Sequence, residues 1–264
     1  MTRIIMSGCN GAMGTTITKI VSEDAEAEIV AGIDIVDDGS KDYPVFSSIK
    51  DCDVEADAVI DFSTPKILDD LLAYCEEKKV PVVLCTTGYD EAQLAKIEEA
   101  SKKTAVLKSA NMSLGINTLM RLVQEAAKVL AAEGFDVEIV EKHHNQKLDA
   151  PSGTALALAD AVNEAMDNRY EYIFDRSQRR EKRGKKELGI SAVRGGTIVG
   201  DHDVSAKQLR GASMQDVIFA GTDEVVTFSH TAYSKAVFGK GAVAAAKFLN
   251  GKESGRFDMA DVIG

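Results

Sequence analysis

The stretch RIIMSGCNGAMGTTITKIVSEDAEAEIVAGID, residues 3–34, decides the fold. Its first five residues form a short apolar run of strand character that stops at glycine. Gly8, Gly11 and Gly14 then space a turn, after which Met13, Ile17, Ile20 and Val21 recur as on one face of a helix. EIVAGID at 28–34 is a second β-branched run, ended by Asp34. The glycine spacing is GxxGxxG, since Asn10 stands where the commoner GxGxxG has its second glycine. Glycines at such a turn let the chain bend tightly and let a pyrophosphate come close to amide groups at a helix N-terminus. Asp34, 20 residues beyond Gly14, is placed to accept bonds from an adenosine ribose. Strand, glycine loop, helix, strand and acid in that order point to dinucleotide binding. An ionised carboxylate repels a 2′-phosphate, and Ile35 offers no compensating cation, so NADH is favoured. Lys41 lies near enough in sequence to keep NADPH possible.

Outward from this unit the rhythm repeats. ADAVIDFS at 56–63, VPVVLCTTG at 80–88 and TAVLKSAN at 104–111 read as further strands, separated by helical patterns from Pro65 and over 90–103. Runs that are apolar throughout, without alternation, fit strands covered on both faces. The expected first domain is therefore a Rossmann-like, doubly wound parallel sheet of α/β class. Ligands of such sheets sit beyond the carboxyl ends of the strands. Here those ends are the glycine loop, the Asp61–Pro65 turn, Thr86-Thr87-Gly88, and Ser109-Ala110-Asn111-Met112.

After Asn111 the pattern changes. A long helix is expected over 115–132, an alternating strand at 135–144 and a helix at 154–166. LGISAVRGG, TIVGDHDVSA and QDVIFAGTDEVVTFSHTA follow as strands and turns. This reads as an α+β domain with a mixed sheet, before a helical tail at 236–251.

Its most unusual loop is EKHHNQKLDAPSGTA, 141–155, which holds two of the four histidines in the chain. Hydride addition to a conjugated C=C–C=N system leaves a negative charge that an acid must quench, and histidine titrates close to working pH. His143 suits that role, Lys147 adds a fixed positive charge, and Pro-Ser-Gly-Thr starts a helix whose amides and hydroxyls suit a carboxylate. The loop describes a pocket for a doubly anionic, reducible substrate. No metal is expected from His143 and His144, because neighbours on a strand point to opposite faces.

The bulk numbers set the frame. With 264 residues, 45% hydrophobic and 28% charged, the chain can bury a sizeable core without staples. A net charge of −11 argues against nucleic acid and anionic membrane as partners. The basic run RSQRREKRGKK at 176–186 lacks interleaved aromatics and is expected to be a solvated or substrate-domain loop. Cys9, Cys52, Cys75 and Cys85 show no CxxC spacing and read as reduced thiols. The start lacks a signal-peptide core and no apolar run reaches spanning length, so a cytoplasmic location is expected. His202 and His230 fall in strand patterns with structural roles by default, while Lys235 adds positive charge near the return to the first domain.

On GCNGAMG at 8–14, DFSTP at 61–65, TTGYDEAQ at 86–93, ANMSLGIN at 110–117, HHNQKLDAPSGTA at 143–155, AVRGGTIVGDH at 192–202 and GKESGRFDMADVI at 251–263, the chain resembles one family. These are the 4-hydroxy-tetrahydrodipicolinate reductases, also called dihydrodipicolinate reductases, and the likeness spans nearly the whole length. It implies NAD(P)H-dependent reduction to tetrahydrodipicolinate in lysine and diaminopimelate synthesis, by a homotetramer built on the second domain's sheet. It implies His143 as proton donor, Lys147 as second donor and anion anchor, and His144, Gly153 and Thr154, beside Ser152, as substrate contacts. It implies cofactor contacts at Gly8, Cys9, Asn10, Gly11, Ala12, Met13, Asp34, Cys85, Thr86, Thr87, Ser109, Ala110, Asn111 and Met112. It implies, too, that the tail completes the first domain, giving 1–114 plus 232–264 for the dinucleotide and 115–231 for substrate and oligomerisation. The chain departs from the family at Cys85, often glycine, and at Ile35, basic in some members. The alternatives are another two-domain reductase, such as an aspartate or homoserine dehydrogenase relative, and a dinucleotide sensor without turnover.

Overall fold

The computed structural model describes residues 1–174, 176–196 and 213–264. The chain divides into two compact units, Met1–Leu114 with Ala236–Gly264, and Gly115–Lys235. The expected strand 197–206, with His202, lies outside the described residues.

With elements numbered along the chain, the first unit holds β1 (Thr2–Ser7), β2 (Ala27–Ile33), β3 (Val45–Phe46), β4 (Ala58–Asp61), β5 (Val82–Leu84), β6 (Ala105–Lys108) and β12 (Gly255–Phe257). They form one sheet in the order β12-β6-β5-β4-β1-β2-β3, and every pairing is parallel. The helices are α1 (Ala12–Ser22), α2 (Leu68–Lys78), α3 (Glu91–Ser101), α6 (Ala236–Leu249) and the short α7 (Met259–Ile263). Side chains on β1 alternate between two separate cores, which is why its sequence is apolar throughout. Ile4 and Met6 pack with Ile17 of α1 and Ala242, Val243 and Ala246 of α6. Ile5 packs with Leu68, Leu71 and Cys75 of α2 and Ile97 of α3. The strand order reverses between β1 and β4, so the crevice of this sheet lies beyond their carboxyl ends, at Gly8 and Asp61.

Two strands are shorter than their apolar runs suggest. β4 ends at Asp61 and β5 at Leu84, because the chain leaves the sheet there to bring Ser63 and Thr86 onto the Asp61 carboxylate. The two- and three-residue strands β3 and β12 are too short to carry a periodic signal, and each pairs with one neighbouring strand.

The second unit holds α4 (Leu114–Ala126), which begins at the unit boundary, α5 (Gly153–Glu164) and β7 (Asp136–His143), β8 (Glu171–Ile173), β9 (Glu187–Arg194), β10 (Ser213–Ala220) and β11 (Val225–Ala232). The long helix ends in a π-helical turn over Ala127–Ala131 rather than continuing as α-helix to 132. The sheet order is β11-β10-β7-β9-β8, with β7–β10 and β10–β11 antiparallel and β7–β9 and β8–β9 parallel. Among the described residues the helices pack on one face, and β7 alternates strictly: Val137, Ile139, Glu141 and His143 are buried. Val137 and Ile139 meet Leu119 and Val123 of α4 and Leu158 and Val162 of α5. Residues 231 and 232 are still paired in the sheet, so the return to the first unit falls at Ala236, not at 232.

The basic run folds back onto acids at one end of this sheet. Arg176 pairs with Glu138 and Glu187, Arg179 with Glu181 and Glu187, and Arg183 with Asp136 and Glu138. Guanidiniums already bound to carboxylates leave little field for a phosphate backbone.

Candidate active site

In the first unit the glycine loop is shaped by close backbone approach. Gly8 has φ +79°, and a Cβ there would stand 2.6 Å from the Phe62 carbonyl oxygen. A Cβ on Gly14 would stand 2.3 Å from the Gly8 carbonyl oxygen and 2.6 Å from Cys9 Cα. Gly11 is the N-cap of α1 and supplies no side-chain bond to its first amides. An exposed, uncapped helix start of this kind suits a pyrophosphate oxygen, so the residues present fit a dinucleotide. Asp34 is half-buried beside this loop, where its Oδ2 accepts the Asn10 amide at 2.9 Å and its Oδ1 accepts the Ile35 amide at 2.9 Å. The Asn10 side chain donates to the Val36 carbonyl at 2.5 Å. Asn10, the departure from GxGxxG, thus ties the loop to the end of β2 while the carboxylate keeps lone pairs for a ribose.

The expected cofactor residues divide by which atoms they can offer. Cys9 is fully buried, and its Sγ packs under Gly32, where a Cβ would come within 2.7 Å. Met112 is 5% exposed, with its side chain in the first core. Both can offer only backbone. The Thr86 hydroxyl is also engaged, donating to Asp61 Oδ2 at 2.6 Å and accepting from the Ser63 amide at 2.9 Å. Gly11, Ala12, Thr87, Gly88 and Ala110 are exposed; Asn10, Met13, Ser109, Asn111 and Cys85 are half-buried.

Among the described residues Asp61 has no cation beside it. It is fully buried and accepts bonds from Ser7 Oγ at 2.8 Å, Ser63 Oγ at 2.5 Å and Thr86 Oγ1 at 2.6 Å. Burial pushes its carboxyl up, against the pull of the Ser63, Thr86 and Ser7 hydroxyls. The folded chain therefore holds this proton more tightly than the unfolded chain. The stability it contributes is complete below about pH 4, the unfolded value, and is lost as pH rises through the folded value. Asp61→Asn is expected to flatten the fall in urea midpoint as pH rises above about 4, the unfolded value. An unaltered slope would show that the buried carboxyl is not the titrating group.

In the second unit, strand alternation puts Glu141 and His143 on one face. His143 Nδ1 lies 2.5 Å from Glu141 Oε2. Arg194 grips the same carboxylate with both nitrogens, Nη1 at 2.8 Å and Nη2 at 2.6 Å, and the Ser152 amide donates to Oε1 at 3.0 Å. Burial works against this anion, but the bonds from His143 and Arg194 outweigh it and hold the carboxyl at about 2. Arg194 also donates to the Asp149 carbonyl at 2.7 Å, tying the loop after β7 to β9.

The loop residues meet mixed fates. Lys147 Nζ is not isolated: it pairs with Asp149 Oδ1 at 2.7 Å, and that pairing lowers the Asp149 carboxyl. His144 Nδ1 accepts the Gln146 amide at 3.2 Å. Burial and then the neighbouring His143, Lys147, Arg194 and Lys235 depress the His144 imidazole. Ser152 departs from expectation as a substrate contact. It is 2% exposed, and its hydroxyl caps α5 by accepting from the Ala155 amide at 3.2 Å, with Gln215 Nε2 at 3.4 Å. Gly153 is exposed with open space where a Cβ would go, and Thr154 is half-buried. His230 lies on β11, opposite Gln215, and burial lowers its imidazole. Among the described residues no group of three metal-ligating side chains occurs.

Glu141 and Arg194 were not among the residues the sequence singled out, and Asp61 was named there only as the start of a strand-end turn. The period-two pattern of β7 does carry Glu141 onto the His143 face, but nothing local to Arg194 or Asp61 signals their partners.

Two family models, "Dihydrodipicolinate reductase, N-terminus" and "Dihydrodipicolinate reductase, C-terminus", match residues 2–112 and 115–263. A 4-hydroxy-tetrahydrodipicolinate reductase of Caldanaerobacter subterraneus subsp. tengcongensis is 51% identical over 100% of this chain and 98% of its own. One of Clostridium tetani is 49% identical over 98% of this chain and 96% of its own. The solved, dipicolinate-bound dihydrodipicolinate reductase of Paenisporosarcina sp. TG-14 shares the fold at a TM-score of 0.79 and 24% identity, with 100% of both chains covered. Family models that account for both units, and relatives of this identity along the full length, make the chain a member of the dihydrodipicolinate reductase family.

Proposed function

We propose that the protein reduces 4-hydroxy-tetrahydrodipicolinate to tetrahydrodipicolinate with NAD(P)H, in lysine and diaminopimelate synthesis. The nicotinamide supplies the hydride. The first unit holds the dinucleotide, with Gly11 to Met13 at its phosphates and Asp34 at its ribose. In the second unit His143 gives the proton and Lys147 holds a carboxylate, helped by His144 and by the Gly153 and Thr154 end of α5. The observation that carries this reading is the buried Glu141–His143 pair beside a cluster of positive charge in a chain of net charge −11. An imidazole fixed by a carboxylate suits an acid, and the surrounding cations suit a dicarboxylate.

The proposal includes a homotetramer formed through the helix-free face of the second sheet. Val193 at 42% exposure and Val225 at 61% lie on that face. It also includes a cytoplasmic location, in keeping with four free thiols.

The test is NADH oxidation followed by absorbance, with the cyclic imine supplied by an aldolase-type synthase and each nicotinamide tried in turn. No oxidation with either nucleotide would end the proposal. The nucleotide preference rests on Asp34, whose carboxylate repels a 2′-phosphate and whose neighbour Ile35 is 88% exposed and uncharged. NADH is expected to be the better donor, and Asp34→Ala to narrow the NADH-to-NADPH ratio of kcat/KM by about tenfold, the scale of one charge contact. A wild type that strongly prefers NADPH overturns that assignment.

A further inference from the structure

We propose that Glu141 is a positioning residue for the reduction: its carboxylate fixes the tautomer of His143 and, through Arg194 and Ser152, sets the geometry of the anion-binding loop. The inference rests on His143 being the acid. Glu141 is fully buried and accepts four bonds, from His143 Nδ1, both terminal nitrogens of Arg194, and the Ser152 amide. An ionised carboxylate is an acceptor only, so the bond at 2.5 Å needs a hydrogen on Nδ1 in every state of the imidazole. The proton that comes and goes is then the one on Nε2. When the Nε2–H bond breaks and the proton passes to the carbon skeleton that has taken the hydride pair, His143 is left neutral, its remaining hydrogen on Nδ1 still donated to Glu141. No tautomer shift is needed before the next proton arrives from solvent.

The same carboxylate reaches the rest of the pocket. Arg194 spans from Glu141 to the Asp149 carbonyl, beside the Lys147–Asp149 pair, and the Ser152 amide stands at the start of α5. One buried group thus joins the acid, the cation loop and the helix start. Arg194 has a second effect, because its guanidinium offsets the charge that Glu141 would otherwise present to the imidazole. Among the described residues the charged and titratable groups around the pair are Glu141 on β7, Arg194 on β9, His144, Lys147 and Asp149 in the loop, and Lys235 after β11.

Glu141→Gln tests this, because an amide keeps the shape but places an NH2 against Nδ1 or breaks the grip of Arg194. Its kcat is expected to fall about 100-fold, with NADH affinity unchanged and the alkaline limb of the kcat/KM profile moved to lower pH. Arg194→Gln is expected to move that limb to higher pH. A merely structural Glu141 would lower the melting temperature and leave both kcat and the pH profile of the folded protein as they were, which would overturn the proposal. If Glu141→Gln does not fold, the wild type still decides the matter by ¹⁵N NMR of labelled histidine, with His143 assigned from His143→Asn. At high pH its neutral ring is expected to carry hydrogen on Nδ1, and a ring protonated on Nε2 would sink the inference. Failure of the wild type to turn over the imine would refute the proposed function instead, a result separable from either outcome here.

Discussion

His143→Ala is expected to lower kcat by two to four powers of ten, the contribution of a positioned general acid, while NADH binds as before. The separation follows from where the residues lie. His143 ends β7 in the second unit, whereas the glycine loop and Asp34 belong to the first. Lys147→Ala is expected to raise KM for the dicarboxylate at least tenfold and to lower kcat as well, since a fixed ammonium stabilises both the bound anion and the charge that develops on it. The Lys147–Asp149 pair predicts a further detail. With Lys147 as the proposed anchor, substrate would compete with Asp149 for that ammonium, so Asp149→Asn is expected to tighten substrate binding. Steady-state kinetics with fluorescence titration of NADH distinguishes these effects. Turnover unchanged in both His143→Ala and Lys147→Ala would remove the acid and the anchor together.

The second large effect concerns glycines that admit no side chain. Gly14→Ala would drive a methyl into the Gly8 carbonyl at 2.3 Å, and Gly241→Ala on α6 into the Met112 carbonyl at 1.6 Å. Both obstacles are backbone, so neither yields by a rotamer change. Overpacking of this kind costs about 1–3 kcal/mol and occasionally more, and contact with rigid backbone belongs at or above the top of that range. Each variant is expected to melt about 6 °C or more below wild type and to lose NADH affinity, because each displaces a loop of the proposed cradle. Gly153→Ala is the control. No described residue lies within 4 Å of its Cβ position, and alanine is the better helix former. Its melting temperature is expected to hold or rise while KM for the dicarboxylate increases. Wild-type melting and NADH affinity in Gly14→Ala would show that the loop relaxes freely.

Much of this was legible in the chain. Unbroken apolar runs identified the parallel strands, because burial on both faces removes the polar alternation. Short elements escaped, since a strand of two residues such as β3 has no period to read and exists only because β2 offers it a paired edge. For the site, residue types close in sequence were readable: Gly8 to Gly14, Asp34 at the expected distance, and the His143–Thr154 loop. What was not readable was which atoms remain available. Ser152 resembles a substrate contact in sequence yet spends its hydroxyl on a helix cap, and Thr86 spends its own on Asp61.

By itself the sequence determined the class of sheet and grouped the loop glycines, Asp34 and the His143–Thr154 residues that the proposed function uses, since these are carried by local spacing and side-chain chemistry. Only the tertiary structure decided how those groups are held. Arg194 comes to Glu141 across 53 residues because β9 pairs with β7, and Ser7, Ser63 and Thr86 converge on Asp61 because β1, β4 and β5 are neighbours in one sheet. Strand pairing brings distant residues within hydrogen-bonding reach, and no pattern along the chain records which pairs will meet.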